Sequence, residues 1–202
     1  MTSKIFNAVM ITAISAVAFT SCKKEQNAPT DLITEEVSFA SNKKLIEGIP
    51  DSLKVPEGNR LVADGFARGF QIYQVKRSAS NPNVFTWVNI APLATLYTKP
   101  NFTDQMALHF AGPTWQITKG HNKGQSVVGK KLVGITPDPT AIQWLLLQAV
   151  DSLSSANNKI TFIQRLFTKG GLAPTTGADE AHLGQLDSIP YTARYLFYES
   201  KY

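Results

Sequence analysis

Residues 160–167 read Ile-Thr-Phe-Ile-Gln-Arg-Leu-Phe, and Gly170-Gly171 follows soon after. Side chains of this segment fall into two alternating sets. One set is Ile160, Phe162, Gln164 and Leu166, and the other is Thr161, Ile163, Arg165 and Phe167. A period of two with β-branched and aromatic residues is typical of a β-strand. Gln164 and Arg165 then face opposite sides of the sheet, so only one of them can face a cavity.

Similar segments recur on both sides of this one. The last, 189–198, places Tyr191, Ala193, Tyr195 and Phe197 on one face. Earlier segments of strand character, separated by turn sequences, are 61–62, 69–75, 84–90, 106–110, 114–118 and 126–135. Many short strands with frequent turns predict an all-β fold, a single antiparallel sandwich or barrel-like domain. No alternation of strand and helix is visible, which argues against a parallel sheet.

The sequence does not decide whether segment 141–154 is a strand or a helix. Trp144-Leu145-Leu146-Leu147 is continuously apolar. Periodicity cannot separate a buried strand from a buried helix in such a run. The Leu, Ala and Gln residues of this segment favour a helix. The strands predicted on either side of it favour a strand over 142–149.

The amino terminus has the pattern of a bacterial lipoprotein signal peptide. Lys4 precedes an apolar run at 5–19, which is too short for a comfortable membrane span. Phe19-Thr20-Ser21-Cys22 resembles the lipobox, in which the cysteine sulfur is acylated, typically with palmitate-like chains. We therefore predict a signal peptide at 1–21 and a lipid bilayer partner through acylated Cys22. A plain secretory signal with an incidental cysteine is the alternative.

Residues 22–50 are polar and lack a clear period, so they predict a linker between the anchor and a domain at 51–199. No Asp follows Cys22 directly, which favours the outer membrane of the cell envelope, on its periplasmic or its surface side. The side occupied stays open.

Composition excludes several functional classes. The chain has 202 residues, 43% of them hydrophobic, with one cysteine and a net charge of +5. One cysteine allows neither an intrachain disulfide nor a cysteine-rich zinc site, and the three histidines lack metal-site spacing. The basic residues form no run, which argues against nucleic acid. The near-match to a phosphate-binding loop at 124–131 lacks its Ser or Thr and its helix. We expect no metal and no cofactor.

Several motifs occur together in a characteristic order. They are Val55-Pro56-Glu57-Gly58-Asn59, Gln71-Ile72-Tyr73, His109-Phe110-Ala111-Gly112-Pro113-Thr114-Trp115, Ile163-Gln164-Arg165 and Pro190-Tyr191-Thr192-Ala193. In this order and spacing the chain resembles the domain-of-unknown-function 3455 family of bacterial and fungal proteins, from Val55 to Tyr198. The resemblance implies a secreted or lipid-anchored single domain with no established activity.

His109 and Trp115 form the most suggestive pair, because Gly112-Pro113 predicts a tight turn that joins their strands. The two rings could bind a ligand, or they could only pack within the sheet. Arg165, if desolvated, needs a carboxylate or a ligand anion. Its possible structural partners are Asp179, Glu180 and Asp187.

Two function hypotheses follow, and neither names a reaction. The first is a module that binds a small apolar or saccharide ligand, or another envelope protein. Its candidate residues are His109, Trp115, Gln164, Arg165, Tyr73 and Tyr191. The second is a hydrolase of an envelope or extracellular substrate. It requires a cavity-facing His109 within reach of Arg165, an acid or a hydroxyl. Because no catalytic signature is present, we favour the first.

Overall fold

A computed structural model describes residues 48–151 and 160–202 of the chain. The predicted signal peptide at 1–21, Cys22, linker residues 22–47 and positions 152–154 lie outside the described residues. The strands are β1 (Asn59–Arg77), β2 (Phe85–Tyr97), β3 (Gln105–Phe110), β4 (Thr114–Ile117), β5 (Ser126–Ile135), β6 (Trp144–Asp151), β7 (Ile160–Gly170) and β8 (Leu186–Ser200).

The eight strands form one closed antiparallel barrel. Each strand pairs with its neighbour in the sequence, and β1 also pairs with β8 from Asn59↔Ser200 to Gln74↔Leu186. This last pairing closes the sheet, so that each of the eight strands has a paired neighbour on both sides. The all-β prediction is confirmed, and the architecture is a barrel. Among the described residues, no helix is long and apolar enough to cross a bilayer.

The ambiguous segment forms strand β6, between β5 and β7. Leu145 and Leu147 belong to the barrel core, and Leu146 between them is 6% exposed. Leu146 must point the other way, because successive side chains of a strand alternate. The run is continuously apolar because both faces of this strand are covered.

A short 3-10 turn at Asp51–Leu53 lies against the outer wall of the barrel. Leu53 is fully buried, and its carbonyl oxygen accepts a hydrogen bond of 2.6 Å from Gln164 Nε2. Tyr198 in turn donates its hydroxyl to Gln164 Oε1 at 2.7 Å. Gln164 therefore belongs to the outer wall, and Arg165 is the member of the pair that faces inward.

The core of the barrel holds aromatic residues on β4 and β8 and small residues on β1 to β3. The aromatic members are Trp115, Tyr191, Tyr195 and Phe197, and the small ones are Ala67, Ala94 and Ala107. Strands β1 and β2 approach closely at Gly69, where an added Cβ would lie 2.2 Å from the Leu93 carbonyl oxygen.

Candidate functional site

A cavity of about 310 Å³ lies at one end of the barrel, which we call the mouth. Because neighbouring strands are antiparallel, the connections β1–β2, β3–β4, β5–β6 and β7–β8 all lie at this end. Gly112 and Pro113 of the β3–β4 turn and Gln143 of the β5–β6 connection contribute to the cavity wall. Its volume is at the lower end of the range for small-molecule sites, roughly 300–1,000 Å³.

The wall of this mouth cavity combines apolar side chains with basic and amide groups. Its residues are Gln71, Asn89, Ile90, Ala91, Pro92, His109, Gly112, Pro113, Trp115, Lys131, Gln143, Leu145, Leu147, Arg165 and Tyr195. The set includes no Asp, Glu, Ser, Thr or Cys. The cavity therefore carries positive charge without a carboxylate of its own.

His109 and Trp115 face each other as a cross-strand pair of β3 and β4. The tight turn between them contains Gly112 at a φ of 95°, a left-handed conformation that glycine adopts without a Cβ clash. The two rings stack with their centroids 4.3 Å apart and their planes at 7°. Tyr195 meets both rings edge-on, at 5.2 Å and 5.4 Å. These three rings form a rigid floor for the cavity.

His109 is held in its neutral form. It is 2% exposed, and its Nδ1 donates a 2.9 Å hydrogen bond to the Thr114 carbonyl oxygen. Burial lowers the pKa of His109 to about 3, and the nearby Arg165 charge acts in the same direction. A neutral, stacked imidazole with this pKa is a poor general base at neutral pH, because the optimal base has a pKa near the working pH.

Arg165 projects into the cavity from β7 without a carboxylate partner. Its Nε donates to the Gln143 carbonyl oxygen at 3.0 Å, and no salt bridge among the described residues includes it. The three suggested acids are engaged elsewhere: Asp179 with His182, Glu180 with Arg77 and Asp187 with the Ser188 amide. The structural ion pair considered for Arg165 is therefore not formed.

Tyr73 and Tyr191 lie beside the cavity and do not line it. Tyr73 donates its hydroxyl to the Gly171 carbonyl oxygen at 2.6 Å, which ties β1 to the β7–β8 connection. The Tyr191 hydroxyl lies 3.5 Å from that of Tyr195. Burial raises the pKa of Tyr73, Tyr191 and Tyr195, so all three phenols stay neutral. Tyr73 and Tyr191 thus act as structural supports of the mouth.

Sequence reasoning missed Lys131 and Gln71, which both line the cavity. Lys131 donates to Gln143 Oε1 at 2.7 Å, and Gln71 Oε1 accepts from Asn89 at 2.9 Å. Alternation along β5 could have identified Lys131. It lies an even number of positions after the core residue Val127, so the two side chains face the same side of the sheet.

Two buried donors in the cavity wall have no acceptor. Within the described residues, Trp115 Nε1 and Gln71 Nε2 lack a hydrogen-bond partner. Trp115 is 2% exposed and Gln71 4%. Buried donors without partners are rare and costly in folded proteins.

Trp115 also separates the mouth cavity from a second space. A smaller cavity of about 80 Å³ lies on the other side of the indole, lined largely by apolar residues that include Met106, Val127 and Phe197. Among residues 48–151 and 160–202, no cluster of His, Cys, Asp and Glu is arranged to hold a metal ion. The chemistry of the mouth is therefore that of basic, amide and aromatic groups.

Comparison with known proteins identifies a family without a described activity. No curated protein and no solved structure matches the chain significantly. The family described as "Protein of unknown function (DUF3455)" matches residues 56–199, which is almost the whole barrel. The match includes all eight strands except Ser200, the last residue of β8, and every residue that lines the mouth cavity. The chain belongs to the DUF3455 family.

Proposed function

We propose that this protein is a cell-envelope lipoprotein whose barrel binds a small organic ligand in the mouth cavity. The observation that carries the proposal is the cavity of about 310 Å³ with two buried donors, Trp115 Nε1 and Gln71 Nε2, that have no acceptor within the described residues. Barrels of eight strands commonly hold one small ligand at their open end. We would expect the core of a barrel that binds nothing to fill this space with side chains and to pair these donors.

The same geometry supports binding over hydrolysis. His109 is neutral and stacked on Trp115, and its Nδ1 is engaged with the chain. Among the described residues that line the cavity there is no carboxylate, aliphatic hydroxyl or thiol to serve as nucleophile or as acid. A hydrolase needs a nucleophile and a base within hydrogen-bond reach of each other.

The experiment is to recover the ligand from protein purified from native membranes. Denaturation followed by mass spectrometry is applied to the wild type, to Pro92→Trp and to Leu93→Trp. Pro92 lines the cavity and pairs with the buried Gln71, so an indole there fills the cavity. Its neighbour Leu93 is 60% exposed and is the matched control. We expect one compound to co-purify with the wild type and Leu93→Trp and to be absent from Pro92→Trp. Equal recovery from all three proteins would overturn the proposal.

The anchor is tested separately. The lipobox-like sequence that ends at Cys22 and the polar linker after it support attachment to the outer membrane through an acylated cysteine. Labelled palmitate should enter the wild type and not Cys22→Ser. An unlabelled wild-type protein would remove the anchor and leave the cavity proposal in place.

A further inference from the structure

The mouth cavity is rich in donors and poor in acceptors. Arg165 and Lys131 bring positive charge, while Trp115 Nε1 and Gln71 Nε2 bring neutral N–H groups. The side-chain oxygens of Gln71 and Gln143 already accept from Asn89 and Lys131. A ligand that fits this wall must itself supply acceptors.

The two basic groups have no protein anion to neutralise them. Within the described residues, neither Arg165 nor Lys131 is in a salt bridge, whereas Arg60, Arg77 and Arg194 each pair with a carboxylate. Arg165 is partly buried and is held in place by the Gln143 carbonyl oxygen at 3.0 Å. A desolvated guanidinium is costly unless it meets an anion, and its forked donors match a planar carboxylate.

The rest of the wall is apolar. Leu145 and Leu147 line the cavity together with the stacked rings of His109 and Trp115, and Ala91 and Pro92 of β2 also contribute to its wall. Such walls bind the carbon skeleton of a ligand, while a few placed polar groups fix its orientation.

We propose that the mouth cavity binds a small organic anion, with its carboxylate on Arg165 and Lys131 and its apolar part against the Trp115 floor. This inference rests on the proposed ligand-binding function and specifies its ligand class. It narrows the apolar or saccharide ligand expected from the sequence to an anion, because Lys131 joins Arg165 at the cavity and no acid lines it among the described residues.

The test compares isosteric pairs that differ in charge. Cinnamate and cinnamamide, and glucuronate and glucose, are titrated into the full-length protein by calorimetry. We expect a carboxylate to bind at least about tenfold more tightly than its neutral counterpart, and this preference to shrink in high salt. Phenyl phosphate is added as a third anion, and weaker binding than cinnamate supports the carboxylate assignment. Binding tighter than cinnamate would assign the site to phosphates and overturn it.

Variants that each remove one positive charge identify the residues that bind the carboxylate. Lys131→Gln and Arg165→Gln should each reduce carboxylate affinity about tenfold or more and leave the neutral compound unchanged. Lys130→Gln is the control, because Lys130 is the exposed neighbour on the same strand and its loss changes the net charge equally. Lys131 is at the exposed rim, so its variant keeps the test valid if Arg165→Gln does not fold.

The two proposals fail in different ways. A neutral compound that binds as tightly as its acid, and is lost in Pro92→Trp, would overturn the anion assignment and leave ligand binding in place. An equal loss of affinity in Lys130→Gln and Lys131→Gln would also overturn it, because general electrostatic attraction would then explain the preference. If neither pair nor phenyl phosphate binds at millimolar concentration, both proposals are wrong.

Discussion

The imidazole of His109 lies flat on the indole of Trp115, with ring centroids 4.3 Å apart and planes at 7°. The two residues are directly paired across β3 and β4, and the five residues between them include the turn through Gly112. Cross-strand aromatic pairs of this kind stabilise a sheet by roughly 0.2–1 kcal/mol. Here the pair also forms the floor of the mouth cavity.

The buried imidazole makes stability depend on pH. Its pKa is about 3 in the folded barrel and 6.5 when unfolded, so the unfolded chain binds the extra proton between these values. Stability is therefore full above about pH 6.5 and falls as the pH drops towards 3. Between pH 6 and 5 we expect the wild type to lose up to about 1.4 kcal/mol more than His109→Gln.

Urea denaturation at several pH values measures this slope. His121→Gln is the matched control, because His121 is exposed in the β4–β5 turn and should leave the slope unchanged. If the free energy of unfolding changed with pH equally in the wild type and in His109→Gln, the imidazole would be taking up its proton in the folded barrel, and the prediction would be wrong.

Gly69 is required where β1 and β2 approach each other. An added Cβ would lie 2.2 Å from the Leu93 carbonyl oxygen and 2.4 Å from Ala94 Cα, both of them backbone atoms. We expect Gly69→Ala to destabilise the barrel by about 1–3 kcal/mol. Gly65→Ala on the same strand would first meet Leu96 Cδ2 at 2.9 Å, a movable side-chain end, and should cost less. Thermal unfolding compares them, and equal costs contradict the argument.

The short turn at Asp51–Leu53 is part of the stable domain. Leu53 is fully buried, and its carbonyl oxygen accepts from Gln164. We expect Leu53→Ala to cost about 2–5 kcal/mol, whereas Leu132→Ala, at 46% exposure, should cost well under 1 kcal/mol. Chemical denaturation measures both. A chain that begins at Pro56, where the family match starts, should lose comparable stability; an unchanged midpoint would show that this turn is dispensable.

The ion pair of Arg194 and Asp64 should be stronger than that of Arg60 and Glu199. Arg194 donates from two nitrogens to the two Asp64 oxygens and lies over the Phe66 ring. Both side chains are 25% exposed, whereas Arg60 is 65% exposed. We expect Arg194→Lys to cost about 1–2 kcal/mol and Arg60→Lys about 0–1 kcal/mol. The reverse order in denaturation midpoints would contradict this ranking.

Much of the fold follows from local pattern. Alternation at 160–167 and 189–198 correctly predicts strands there and an all-β class. The predicted strands were too short in places, because β1 continues through the polar positions between 62 and 69. Pairing with β8 along that stretch, and with β2 from Phe66 onwards, keeps it extended, and such long-range pairing is not visible in a local window.

The candidate site was only partly predictable. Alternation predicts that Gln164 and Arg165 face opposite sides of the sheet. Because both sides of β7 are covered, the pattern cannot tell which of the two sides is the interior of the barrel. Likewise, Trp144-Leu145-Leu146-Leu147 is apolar throughout because one face meets the core and the other the outer packing.

The order of side chains along each strand is a local property, and it is enough to establish strand character and the opposition of Gln164 to Arg165. Which face becomes the interior depends on the pairing of β1 with β8, between residues more than 100 positions apart. Closure turns Arg165 inward and brings Lys131, Gln71 and Trp115 to one mouth. Their common chemistry, positive and without an acid, exists only once the barrel is closed.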